Sequence, residues 1–380
     1  MLGPIRSLYA LRPGAPLSLL LSAVATALMF VATPFLLPEL AASYEVTEGF
    51  ASMISVAQVG AFSATTLLVP RFLAPSGRLL RVTAAALFIA NLVSALQTSF
   101  GALVAVRLVA GGAAGVMTWI MWLDAMGSPR SLASISSVGP LVALVGAPML
   151  AVVGEQGDRM IYLTLAVGAL PPVLAPLHEP LNKSLGRPGK RVVSRSRSNR
   201  VLLGALFLLT MSGASLFIFE AVAAAQVLGV GSVAASWGFS LNAAGGLLGA
   251  RLASRHKRPG WWLAAAGPAA VLTIAGGRPV FFFVGMAWWG FAFWMGVPGV
   301  LQMMAERSLD PGERAGDAQG IMAIGRTVAP TIGAGFADAG AYIPLALVSG
   351  IGVTVSGAIV MAVQEGRELL PPTVPPAPRA

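Results

Sequence analysis

Charged side chains are costly inside long apolar stretches and are kept there for a reason, so the reading starts from them. Arg107 lies in Leu103-Val-Ala-Val-Arg107-Leu-Val-Ala, about five residues from one end of its stretch at 1.5 Å per residue. There it can hold an anionic substrate or relay protons; the alternative is an arginine whose head snorkels to the interface. Glu220 sits in Leu216-Phe-Ile-Phe-Glu220-Ala-Val-Ala with no neighbour in sequence to pair with. A lone carboxylate in such surroundings suits proton coupling; the alternative is a carboxylate satisfied by a serine or the backbone. Arg326 falls well inside a later stretch and can attract an anionic substrate or pair inward with Asp317. Asp124 closes the stretch that contains Arg107.

Aromatic and neutral polar groups form the second set. Phe281 to Phe283 read as an interfacial belt, whereas Trp289 with its neighbours Trp288 and Phe293 could stack on a planar or cationic substrate. A helix wrapped in aromatics is also ordinary lipid-facing surface. Gln58, Asn242 and Trp237 are polar groups inside apolar stretches; helix–helix hydrogen bonding is the plain reading for them and a substrate contact the sharper one.

Other chemistry is excluded outright. The chain has no cysteine and two histidines, His178 and His256, both among basic loop residues, which leaves no disulfide, thiolate or histidine-cluster metal site. No Gly-Lys-Ser/Thr phosphate loop exists to bind ATP. Neither a cofactor nor a metal is expected. A membrane-embedded enzyme would need clustered acids or histidines at the membrane face, and the acidic loop Glu306, Asp310, Glu313, Asp317 is interrupted by Arg307 and Arg314.

The elements that hold these residues follow from composition. Of 380 residues, 56% are hydrophobic and 11% charged, against about 25% charged in soluble domains, and mean hydropathy is +0.79. Most of the surface must therefore meet lipid. A net charge of +10 could serve nucleic acid, but the basic residues lie between apolar runs rather than in one patch. A span needs about 20 apolar residues. That ruler gives candidates near 16–38, 49–70, 82–100, 102–124, 131–154 and 160–177, then 201–228, 232–252, 260–277, 280–304, 317–337 and 341–363. Leu17 to Leu37 is apolar on all sides, unlike an alternating barrel strand, so these are helices.

Between the two sets of six lies 178–200, with seven Lys or Arg and one Glu. The halves, 1–177 and 201–363, are offset by about 185 residues, a duplication common in secondary transporters; the proline-rich 364–380 reads as a disordered tail. Of the 25 Lys and Arg, only Arg159 and Arg278 fall in loops on one side of this layout, with Arg107 and Arg326 inside spans. The positive-inside rule then makes both termini and the linker cytoplasmic. Pro16 to Pro38 is too long for a signal-peptide core and reads as a retained first helix.

Two loops at matching places carry a resemblance. After the second span the chain reads Val69-Pro-Arg71-Phe-Leu-Ala-Pro-Ser-Gly77-Arg78-Leu-Leu-Arg81, and after the eighth Gly249-Ala-Arg251-Leu-Ala-Ser-Arg255-His-Lys257-Arg258. Both resemble the signature loop of the major facilitator superfamily, in part: Pro70 and Ala74 replace its glycine and aspartate in the first, Ala253 and His256 its aspartate and second glycine in the second. The fourth span, Arg107-Leu-Val-Ala-Gly111-Gly112-Ala-Ala-Gly115, is similar to the family's arginine followed by glycines, with Gly111 and Gly115 on one face. Gly139-Pro140 and Gly146-Ala-Pro148 resemble the Gly-Pro motif of the antiporter branch, as does Ala329-Pro330 with Gly333 and Gly335.

The resemblance implies an all-α membrane protein of twelve spans in two pseudo-symmetric six-helix bundles, with a substrate cavity between them lined by spans 1, 4, 7 and 10. It also implies that Asp124 meets Arg71, Arg78 and Arg81 as a gate ion pair, and that spans 4 and 7 face each other, where Arg107 and Glu220 could pair while the outer side is closed. The first span has no acid before Glu39, unlike many drug/proton antiporters of the family.

The resulting expectation is a monomeric secondary transporter of a bacterial cytoplasmic membrane, moving a small organic molecule by alternating access, as an exporter and with protons as the coupling ion. It has no nucleic-acid partner. Import or exchange of an organic anion through Arg107 and Arg326 is the alternative within transport, and a non-transporting membrane receptor the alternative outside it.

Overall fold

The computed structural model describes residues 14–125, 128–177, 197–253, 258–306 and 311–368, and these contain helices and no strand. The first half holds α1 (Leu17–Val31), α2 (Thr33–Ser43), α3 (Glu48–Ala51), α4 (Met53–Leu68), α5 (Gly77–Ala95), α6 (Phe100–Ala125), α7 (Pro129–Gly154) and α8 (Asp158–Leu174). The second holds α9 (Arg197–Phe217), α10 (Glu220–Leu228), α11 (Ser232–Leu252), α12 (Pro259–Ala275), α13 (Pro279–Glu306), α14 (Pro311–Asp338) and α15 (Tyr342–Glu368). Helix α9 thus begins inside the stretch read as linker, and α15 continues past residue 363.

Seven helices are long and apolar enough to cross a membrane, and an eighth if the bent pair α1–α2 is one span. Helices stand at the other expected spans too, but α8 and α12 are 17 residues long, and α11 and α14 dilute their apolar residues with Ser, Asn and charged groups. Large apolar side chains such as Val145, Val167 and Ile351 point outward, which is stable against lipid. The chain is a multi-pass membrane protein.

Helix contacts repeat pair for pair between the halves. In the first, α4 packs on α6, α5 on α6 and α8, and α1 on α7 and α8; in the second, α11 packs on α13, α12 on α13 and α15, and α9 on α14 and α15. The halves meet along two seams, α7 with α11 and α4 with α14.

Small residues make these contacts close. A Cβ at Gly111 or Gly115 of α6 would overlap the backbone carbonyls of Gln58 and Phe62 on α4, and one at Gly290 of α13 that of Asn242 on α11. Thr65 and Thr66 exploit the same approach, donating across it to the Gly112 and Gly115 carbonyls at 3.1 and 3.3 Å.

The first helix of each half is broken. Between α1 and α2 the axis turns by 50° at Ala32, where Pro34 withholds an N–H from the ladder. Between α9 and α10 the break at Ile218–Phe219 has no proline; the Ser215 hydroxyl bonds back to the Ser212 carbonyl at 2.7 Å, a local bond that bends helices. The segments beyond the breaks, α2 and α10, touch each other across the halves.

One apolar core includes Phe35, Leu37 and Leu40 of α2 together with Val222 and Ala223 of α10 and the rest of the second half. The part of the first half nearest the linker has a separate core around Leu19, Leu80, Leu87 and Ile120. The halves are therefore sealed together at the end away from the linker, and their cores are not joined at the linker end.

Candidate functional site

Arg107 is fully buried inside the first half. Its Nε donates to Gln58 Oε1 at 3.0 Å, its Nη1 to Asn91 Oδ1 at 2.8 Å and to Ser94 Oγ at 3.2 Å, and its Nη2 to Gln58 Oε1. The guanidinium lies 5.2 Å from the ring centre of Tyr162, whose buried hydroxyl has no partner among the described residues. Helices α4, α5, α6 and α8 each contribute a group, and every hydrogen-bonding acceptor is neutral.

Glu220 is the counterpart in the second half. At the first position of α10, just past the break, it is fully buried. The Thr273 hydroxyl of α12 donates to its Oε1 at 2.8 Å, and Oε2 has no partner among the described residues. The expected Arg107–Glu220 pair is thus not formed, although the end of the molecule where the two were to meet is closed. Each group is turned into its own bundle, where polar partners were already at hand.

Arg326 differs from both. Unlike them it has accessible surface although it lies in the middle of α14. Its neighbours fix its direction. Gly325 faces Thr210 and Phe207 of α9, while Thr327 Oγ1 lies 3.2 Å from Ser63 Oγ of α4. At about 100° per residue, Arg326 points between them, opposite the outward stripe Ile324, Val328, Thr331 and Gly335.

The same face of α14 carries Gln319, also accessible, and then Ala329, Pro330 and Gly333, all buried. Pro330 accepts a 3.5 Å bond from Ser52, and Gly333 abuts Ser215 and Phe219 so closely that no Cβ would fit. Arg326 is the last accessible residue of this face before the seal.

The aromatic candidates separate. Trp289 is buried and meets Phe217 edge-on at 5.5 Å; Phe217 meets Phe239 at 5.1 Å and Phe239 meets Phe35 at 5.3 Å. This chain of rings crosses from one half to the other and belongs to the seal. Trp288 instead packs on Trp262 and Phe291 and is exposed outward, as Trp237 is. Phe293 packs on Trp294. Asn242 donates to the Met286 carbonyl at 3.0 Å, tying α11 to α13 at the position matching Gln58.

Among the residues expected at a gate, Asp124 is buried at the end of α6. Arg81 donates to the Ala175 carbonyl at 2.8 Å, holding the end of α8, where a cation suits the exposed carbonyls. Gly77 opens α5 behind the capping hydroxyl of Ser76, and Arg78 is exposed. Gly249 lies against the Phe291 carbonyl, and Arg258 is exposed ahead of α12. Lys257 and the side chains of Arg71 and Asp317 lie outside the described residues.

Asn91, Ser94, Tyr162 and Thr273 were not singled out in sequence. Asn91 had a signal, an amide in an otherwise apolar span; the hydroxyl residues are too common in membrane helices to stand out. No group of acids or histidines that could hold a metal occurs among the described residues.

No known family's sequence profile matches the chain, and no curated protein does. Solved structures do. The nucleoside transporter NupG, as its D323A mutant, superposes with a TM-score of 0.67 at 14% identity, covering 91% of this chain and 98% of its own. A bacterial homologue of the human lysosomal transporter Spinster, in an inward-facing and occupied conformation, gives 0.68 at 12% identity, covering 93% and 98%. The chain thus shares the fold of these two proteins, the major facilitator fold.

Proposed function

We propose that this protein is a secondary transporter that moves a small organic molecule across a bacterial cytoplasmic membrane by alternating access, in the direction of export, with protons exchanged at Glu220. The observation that carries the reading is the unequal closure of the two ends. Two matching bundles are sealed by α2, α10 and a chain of aromatics at one end and have separate cores at the other, and on the inner face of α14 Gln319 and Arg326 keep accessible surface on the open side of that seal. That is one half of an alternating-access cycle. The fold it shares with two transporters supports the same reading. The distribution of basic loop residues orients the accessible end toward the cytoplasm.

Glu220 suits the coupling role because it is the one acid buried in the second half beside a helix break, with one oxygen already held and the other without a partner among the described residues. A break lets the helix beyond it move when the charge of that group changes.

The test is solute flux in liposomes under an imposed pH step. Liposomes containing the protein should exchange a member of a panel of organic cations, anions and neutral solutes, faster with the gradient. The Glu220→Gln variant should keep exchange and lose the effect of the gradient. Flux no greater than in empty liposomes for the whole panel would contradict transport, and an unchanged gradient response in the variant would contradict coupling at Glu220.

A further inference from the structure

We infer that the cleft between the bundles is an anion site, with Arg326 the group that takes the charge of a small organic carboxylate or phosphate. This rests on the transport reading above and adds the substrate class to it. On the inner face of α14 the accessible residues short of the seal are Gln319 and Arg326, and Arg326 is the charged one. Arg107, the other intramembrane arginine, is excluded: its donors are taken by Gln58, Asn91 and Ser94, and none of its surface is accessible.

The surroundings give Arg326 no counter-charge among the described residues. Its chain neighbours meet neutral groups, Gly325 lying against Thr210 of α9 and Thr327 against Ser63 of α4, and about two turns nearer the linker end the same face presents Gln319. Glu220, the acid of the second half, is turned away and bonded to Thr273. Asp338 of the same helix lies beyond the seal, accepting from the Gly49 N–H at 3.0 Å. A cation with five donors in a planar fork, walled by low-dielectric protein and by neutral hydroxyls, is matched by a planar carboxylate or a phosphate. It repels a cation of the same shape. The hydroxyls of Ser63, Thr210 and Thr327 are each committed to carbonyls of their own helices, so they position nothing by charge and leave the guanidinium to decide.

The absence of native cysteine allows a test that reads the cleft itself. Gln319→Cys places a thiol on the same face, seven residues and about 10 Å nearer the linker end. Its rate of modification is measured with anionic sulfonatoethyl and cationic trimethylammonioethyl methanethiosulfonates in purified full-length protein, with Ser99→Cys at the sealed end as the reference. The anion-to-cation rate ratio at residue 319 should exceed the reference, and adding Arg326→Gln should lower it about tenfold, equivalent to about 1.4 kcal/mol; Arg326→Lys should retain it. Benzoate, succinate and phenyl phosphate are then compared with benzylamine and benzyl alcohol as protectants, and at least one anion should slow modification in an Arg326-dependent way. A ratio indifferent to Arg326→Gln, equal protection by benzylamine, or no protection by any of the three anions would overturn the proposal. Anion protection without liposome flux would leave the site standing and remove transport.

Discussion

At the residue scale, two buried ionisable groups have been placed where their partners, rather than water, set their behaviour. Arg107 satisfies three polar side chains at once. Arg107→Ala leaves Gln58, Asn91 and Ser94 short of partners and opens a cavity, and it should cost about 3–5 kcal/mol, from the three unsatisfied polar groups and the truncation together. Arg107→Lys keeps the charge but loses the fork that reaches α4 and α5 together, so it should recover only part of that loss. Thermal unfolding in detergent measures both. Wild-type stability in the alanine variant would show that the bonds contribute little. Glu220→Gln, by contrast, retains an oxygen to accept from Thr273 and should unfold within about 1 kcal/mol of wild type.

The intramembrane charges were legible in the sequence as anomalies, since Arg107, Glu220 and Arg326 interrupt apolar runs. Their partners were not. A guanidinium can reach any polar group within one helix diameter, and nothing in the spacing of Asn91, Ser94 and Tyr162 says that α5 and α8 would bring them to α6. The Arg107–Glu220 pair failed for that reason: equal depth in two helices does not fix which way a side chain turns.

At the element scale, packing depends on glycines that admit a backbone and on bonds that cross the seams. Gly111→Ala and Gly290→Ala place a methyl group against the carbonyls of Gln58 and Asn242; each should destabilise by about 1–3 kcal/mol, because a backbone cannot move aside as a side chain can. Gly139→Ala and Gly204→Ala, which meet nothing within 4 Å, should be neutral or slightly stabilising. Equal unfolding midpoints for all four would remove the argument. At the sealed end, Asp338 accepts from Gly49 at the start of α3, and Gln226 of α10 donates to Glu48 at 3.2 Å. Losing a helix cap costs about 1 kcal/mol, so Asp338→Ala should move the balance of the two end states about fivefold toward opening of this end. Spin-label distances across α2 and α10 read that shift, and an unaltered distribution would show that Asp338 holds nothing closed. The helices themselves were readable from runs of apolar residues. The break at Phe219 was not, because no proline marks it.

At the scale of the whole molecule, the account is of two matching bundles that seal one end at a time. The distribution of basic loop residues predicts which way that pair is oriented: Ser194→Cys, in the segment joining the halves, should be modified by an impermeant thiol reagent only after the cells are opened, and modification from outside intact cells would invert the topology. The duplication was visible in the sequence as two sets of six spans around a basic stretch, whereas which end is closed was not, since both end states use the same residues.

Alternating access requires that the face of α14 on either side of Arg326 be exposed to opposite sides of the membrane in turn. Gln319→Cys and Ala329→Cys test it without knowledge of the substrate. In wild-type background, residue 319 should react from the cytoplasmic side and the buried residue 329 should be slow from either side; with Asp338→Ala, residue 329 should react up to about fivefold faster from outside, while residue 319 still reacts from the cytoplasmic side alone. Reaction of both positions from one side, or no rise at 329 from outside, would contradict alternating access through this cleft.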